Sequence, residues 1–150
     1  MARKRSDSVA PKNILVGESS DGDFFMLQRA FKAAGPAHRL RRVRDGVEVL
    51  AYVVGDAPFA NPHEHPSPDL VIVEALLPGV NGVELLNYLR SELSVQVPVV
   101  ILSSSLDAEE MRKTTRLGKA EYLMKPLTFK VLLEVVQGIQ ERWFKAAKGA

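Results

Sequence analysis

VIVEALLPGVNG, residues 71–82, runs three β-branched residues into Glu74 and reaches a Pro-Gly turn four residues later. A charge is costly to bury unless something uses or neutralises it, so an apolar strand that ends on a carboxylate ends at a polar edge or in a site. Working outward, Asp69 to Val73 reads as a strand and Gly82 to Leu93 as the helix behind it. Upstream, Asn13 to Val16 is a short apolar run that gives way to GESSDGD, a loop rich in helix-start residues. Leu27, Ala30, Phe31 and Ala34 then recur at helical spacing until Gly35-Pro36 ends the helix.

His38 to Val43 forms a second strand, Asp45-Gly46 turns, and Val47 to Val54 is a short helix; the Pro-rich GDAPFANPHEHPSP carries no core pattern. Downstream, Val97 to Leu102 is a strand, Asp107 to Leu117 a charged helix, and Ala120 to Met124 a fifth strand. Leu132, Val135, Val136, Ile139 and Trp143 make one face of a last helix. Strands alternating with helices imply right-handed crossovers, hence an α/β fold: a doubly wound five-stranded parallel sheet with helices on both faces. In such sheets ligands lie beyond the carboxyl ends of the strands.

At 150 residues the chain suits one domain with a substantial core. It has no cysteine, which excludes disulfides and zinc-thiolate sites and fits a reducing compartment. The opening MARKRSDSVAPKN has no apolar segment after its basic residues, and no apolar run nears the roughly 20 residues that span a bilayer. A cytoplasmic protein with no membrane partner is expected. Basic residues cluster in ARKR and in HRLRRVR at 38–44, and read as a solvated tail and an exposed edge strand; without interleaved aromatics, nucleic acid is an unlikely partner.

The strand ends carry the chemistry: Gly17, Glu18 and Ser19 after the first, Glu74 at the third, Ser103 and Ser104 at the fourth, Lys125-Pro126 at the fifth. Two carboxylates, a hydroxyl and an ammonium converge on one rim from distant parts of the chain. With ILVGES at 14–19, PDLVIVEALLPGVNGVELL at 68–86, VPVVILSSS at 97–105 and AEYLMKPL at 120–127, the sequence resembles the receiver domains of two-component response regulators, most of all the stand-alone, single-domain type. The resemblance implies a flavodoxin-like architecture over 12–145, between a flexible basic tail at 1–11 and a C-terminal tail at 146–150.

It also implies a role for each rim residue. An acidic pair that holds magnesium falls on Gly17 and Glu18, and the phosphoacceptor aspartate falls on Glu74. The switch hydroxyl falls on Ser103, the switch aromatic on Tyr122 and the phosphate-contacting lysine on Lys125, aimed by a cis Lys125-Pro126 bond. Glu18, Glu74 and the backbone carbonyl of Ala75 are the expected metal ligands. The partners implied are a histidine kinase or phosphotransfer protein, and another protein or a second copy of the chain on the 107–144 face.

Two departures weaken that chemistry. Glutamate adds one methylene, about 1.5 Å of chain, and a misplacement of about 1 Å can cost on the order of a hundredfold in rate. Gly17 supplies no ligand, so Mg2+ is expected to bind weakly or not at all. The expectation is an atypical receiver module in phosphorelay signalling, not an enzyme, that acts by protein–protein contact without normal phosphorylation. Glu74 either mimics a phosphoryl group in part, with one charge against about 1.5 to 2, pointing toward Lys125 and Ser103, or only pairs with Lys125 in a constant scaffold. The alternatives are a conventional phosphoryl-accepting receiver and, in another class, a flavodoxin-like flavin binder. His63 and His65 read as an exposed loop, and Phe129, Trp143 and Phe144 as packing residues on the last helix.

Overall fold

The computed structural model describes residues 10–145; the basic cluster at 2–5 and the C-terminal tail at 146–150 lie outside them. Five parallel strands, β1 (Asn13–Gly17), β2 (Arg39–Val43), β3 (Leu70–Glu74), β4 (Val99–Ser103) and β5 (Ala120–Met124), form one sheet in the order β2-β1-β3-β4-β5. The helices are α1 (Asp21–Ala34), α2 (Gly46–Val54), α3 (Gly82–Asn87), α4 (Ala108–Leu117) and α5 (Phe129–Trp143). Order reverses between β1 and β3, so β1 and β3 end at the switch point where such sheets place ligands. Among the described residues no helix is long and apolar enough to cross a membrane.

The central strands bury both faces, which is why their sequences are continuous apolar runs. On one face Ile14, Val16, Ile72, Val100 and Leu102 pack on Phe31, Val136 and Ile139 of α1 and α5. On the other, Leu15, Val71, Val73 and Ile101 pack on Val49, Tyr52, Leu85 and Leu89. Each helix starts at a side chain that accepts a free first-turn N–H: Ser20, Asp45, Asn81, Asp107 and Thr128, with Asn81 and Glu84 forming a reciprocal capping box. At Gly46 only glycine fits, because a Cβ would lie 2.3 Å from the Val80 carbonyl oxygen.

Three expectations change. The helix read as continuous over Gly82 to Leu93 passes at Tyr88–Glu92 into a π-helical turn, with the Leu93 N–H bonded to the Tyr88 carbonyl. There the Arg90 guanidinium donates to the carbonyls of Val95 (2.7 Å), Val97 (2.9 Å), Gly118 (3.1 Å) and Lys119 (3.0 Å). The Pro-rich loop does carry core contacts, since Phe59 and His65 meet Tyr52 with ring centroids 5.2 and 5.6 Å away. Among the described residues the cis peptide bonds are Gly35-Pro36 and Ala57-Pro58, so the expected cis Lys125-Pro126 is not present. Lys125 reaches the rim through its long side chain instead.

Candidate functional site

β1, β3 and β5 deliver Glu18, Glu74 and Lys125 to the same end of the sheet, as the strand-end argument requires. Glu18 is only 6% exposed. One of its oxygens accepts the Ser20 N–H (3.0 Å) and the other lies 3.4 Å from Lys125 Nζ. Burial above all, and the neighbouring Glu74, push the Glu18 carboxyl above its ordinary range against the Ser20 N–H and the Lys125 charge. Glu74 Oε1 accepts both the N–H (3.0 Å) and the hydroxyl (2.6 Å) of Ser19, and Oε2 stands 3.8 Å from Lys125 Nζ. Lys125 also donates to Asp23 at 2.6 Å. Burial acts to lower the Lys125 pKa, but the Asp23 hydrogen bond and the charges of Glu18, Asp23 and Glu74 outweigh it and hold the ammonium above its usual range.

The basic edge strand, expected to be merely solvated, supports this loop. Arg42 donates from Nε to the Glu18 carbonyl (2.8 Å) and from Nη1 to Asp21 (2.6 Å), and lies over the Phe24 ring; Arg44 joins it on Asp21 at 3.0 Å. The two arginines hold the Asp21 carboxyl below its ordinary value.

The switch residues form a separate group. The Ser103 hydroxyl donates to the Ser105 carbonyl and accepts the Ser105 N–H at 3.2 Å. Tyr122 is buried, and its hydroxyl donates to Glu110 at 2.7 Å. Burial, opposed by Ser103 and reinforced by Glu110, raises its pKa. Among the described residues no hydrogen bond or ion pair joins Glu74 to Ser103, so the expected Glu74–Ser103 approach is replaced by the bond to Ser19.

Two positions of the expected metal site make other contacts in this structure. Gly17 faces the core: a Cβ there would lie 2.9 Å from Leu77 and Val49 and 3.0 Å from Val73. The side chain that faces Glu74 from this loop is Ser19, one turn of phase later. The Ala75 carbonyl accepts the Gly82 N–H at 2.9 Å, which directs it to the start of α3. Ser19 stands at the rim in the sequence and Arg42 in the basic cluster, but neither carries a role there, and nothing in the sequence marks Asp23 as a partner of Lys125.

A divalent ion does not fit these residues as they stand. Magnesium needs near-octahedral oxygen ligands, yet an ammonium lies among the three carboxylates and Ser19 offers only a neutral hydroxyl. Among the described residues no group of three His, Cys, Asp or Glu could hold a metal. In the loop read as exposed, the His65 ring packs on Phe59 and Tyr52, and the His63 backbone N–H donates to the Asn61 side chain.

The family profile described as "Response regulator receiver domain" matches residues 25–137. The chain belongs to that family. It is 29% identical over 140 residues to response regulator Rcp1 of Synechocystis sp., covering 93% of each chain. Among solved structures it is similar to response regulator RPA3017 in red light signaling of R. palustris (29% identity, TM-score 0.82, 93% of this chain and 97% of that one). It is also similar to the phosphorylated cyanobacterial phytochrome response regulator RcpA (30% identity, TM-score 0.78, 89% and 94%). Rcp1 has been solved in a Mn(2+)-bound form, which aligns at 28% identity with a TM-score of 0.76 over 92% of this chain and 98% of that one. The family assignment displaces the flavin-binding alternative.

Proposed function

We propose that this receiver acts in two-component signalling as a protein-docking module whose output does not depend on phosphorylation of Glu74. The observation that carries the reading is the engagement of Glu74: Oε1 takes two donors from Ser19 while Oε2 faces Lys125. Phosphoryl transfer rests on positioning and charge neutralisation. A carboxylate already held by a neighbouring loop and by a lysine is neither free to attack nor served by a metal. The bonding of Glu74 to Ser19, and of the Ser103 hydroxyl to Ser105, favours the constant scaffold over partial phosphoryl mimicry.

On this reading the partner is a protein that docks without receiving or donating a phosphoryl group, on the face from 107 to 144. A phytochrome-type histidine kinase is the first to test, because RcpA and RPA3017 are described as serving phytochrome or red-light signalling. The deciding experiment incubates the protein with MgCl2 and acetyl phosphate and follows intact mass. No phosphoryl adduct is expected. A stoichiometric adduct mapped to Glu74 would overturn the proposal in favour of a conventional acceptor.

A further inference from the structure

We propose that Ser19 and Glu74 are a matched pair, each making the other tolerable, and that Lys125 is the resident cation of the site in place of a divalent metal. This deepens the docking-module reading and rests on its choice of site, but it is tested without a phosphodonor.

The argument starts from chain length. The extra methylene of Glu74 carries its carboxylate about 1.5 Å further, and at that reach Oε1 meets two donors on one residue, the Ser19 N–H at 3.0 Å and its hydroxyl at 2.6 Å. An acid at position 19 would put a like charge against Glu74 in a rim where Glu18 is already buried. An aspartate at position 74 would leave the Ser19 hydroxyl short of its acceptor. A donor at 19 therefore suits a long carboxylate at 74, and neither suits the alternative residue at the other position.

The charge balance points the same way. Lys125 Nζ lies 2.6 Å from Asp23, 3.4 Å from Glu18 and 3.8 Å from Glu74, and so contacts all three carboxylates of the site. A divalent ion entering there would displace an ammonium already tied to Asp23. It would also have to complete its shell without an acid at position 19.

The test compares the wild type with Ser19→Asp/Glu74→Asp by calorimetric titration with Mn2+ and by the effect of MgCl2 on melting temperature. The paired-acid variant is expected to bind Mn2+ at least about tenfold more tightly and to gain thermal stability with Mg2+, which a ligand of the folded state must confer. The wild-type melting temperature is expected not to move. A double-mutant cycle in metal-free buffer covers the case in which that variant does not fold. Ser19→Ala and Glu74→Asp should each lower the folded-to-unfolded ratio about fivefold, as loss of one hydrogen bond does, and together by no more than either alone. Wild type that binds Mn2+ as tightly as the paired-acid variant, or losses that simply add, would overturn the proposal. The two readings fail separately: a phosphoryl adduct on metal-free wild type sinks only the docking-module reading, and tight Mn2+ binding with no adduct sinks only this one.

Discussion

The rim of this domain has two halves that use the same kinds of side chain in opposite ways. On the β1–β3–β5 side, Glu18, Ser19, Asp23, Glu74 and Lys125 come from distant positions and bond to one another across the strand ends. On the β4–β5 side, Ser103 bonds two residues along its own chain, and Tyr122 bonds Glu110 of α4. The side chains of the first half are cross-linked across the fold, and those of the second bond locally, although the two halves share backbone bonds such as the Lys125 N–H to the Ser103 carbonyl (2.6 Å). The direct side-chain partners of Glu74 therefore lie in the β1–α1 loop and at Lys125, and the α4 side chains bond to other groups.

The largest expected effect separates positions 17 and 19. Gly17→Asp forces a carboxylate against Leu77, Val49 and Val73, and should cost about 3–5 kcal/mol as an unpaired buried charge. Ser19→Asp, on an exposed loop, loses the hydroxyl bond to Glu74 and meets its charge near solvent, and should cost about 1–2 kcal/mol. Urea denaturation of both variants measures the difference, and equal losses would mean that residue 17 is not committed to the core.

Removing the shared cation comes next. Lys125→Met leaves Glu18, Asp23 and Glu74 without their ammonium, and should destabilise the fold by about 1–3 kcal/mol. Amide exchange should quicken in the β1–α1 loop while the α4 amides keep their protection. Equal acceleration in both regions would erase the division between the halves.

Acid titration provides a reference away from both. His38 is lowered below its ordinary 6.5, by burial first, against a hydrogen bond with Gln140. Because folding lowers this pKa, the unfolded chain binds more protons on acidification, so stability is full above about 6.5 and declines as the pH falls below it. His38→Gln should flatten that decline in a pH series of melting curves. If the decline persists unchanged, another group causes it.

The smallest effect is the most informative about signalling. Glu74→Gln removes the charge but keeps an acceptor for Ser19, and should change stability by less than about 1 kcal/mol. Exchange at Ala108 to Leu117 should be unaltered. A change confined to α4 would show that the carboxylate does reach the switch half, and would restore the phosphoryl-mimic reading.

The sequence made the rim legible because strand-end residues stand out against apolar runs, and Glu18, Glu74 and Lys125 do meet. It hid the phase of β1. Leu15 packs toward α2, Val16 toward α1 and α5, and Gly17 returns to the α2 side. A strand buried on both faces shows no alternation of polarity, so ILVG does not reveal which way residue 17 points. The Ala75 carbonyl was equally hidden, since its direction depends on the turn that brings the Gly82 N–H to it. His65 escaped because PHEHP has a loop's composition, and only Tyr52 and Phe59 beside it make its ring a packing surface.

Arg90 gives the end of the sheet away from the rim its own anchor. Its four acceptors belong to the segments that lead into β4 and β5, at the edge of the sheet opposite the carboxylate rim. A guanidinium does not lose its charge at any pH a protein meets, so this anchor is permanent. It ties the C-terminal end of α4 through Gly118, while the Tyr122 hydroxyl holds the first turn at Glu110, so the helix is pinned at both ends by side chains from outside it.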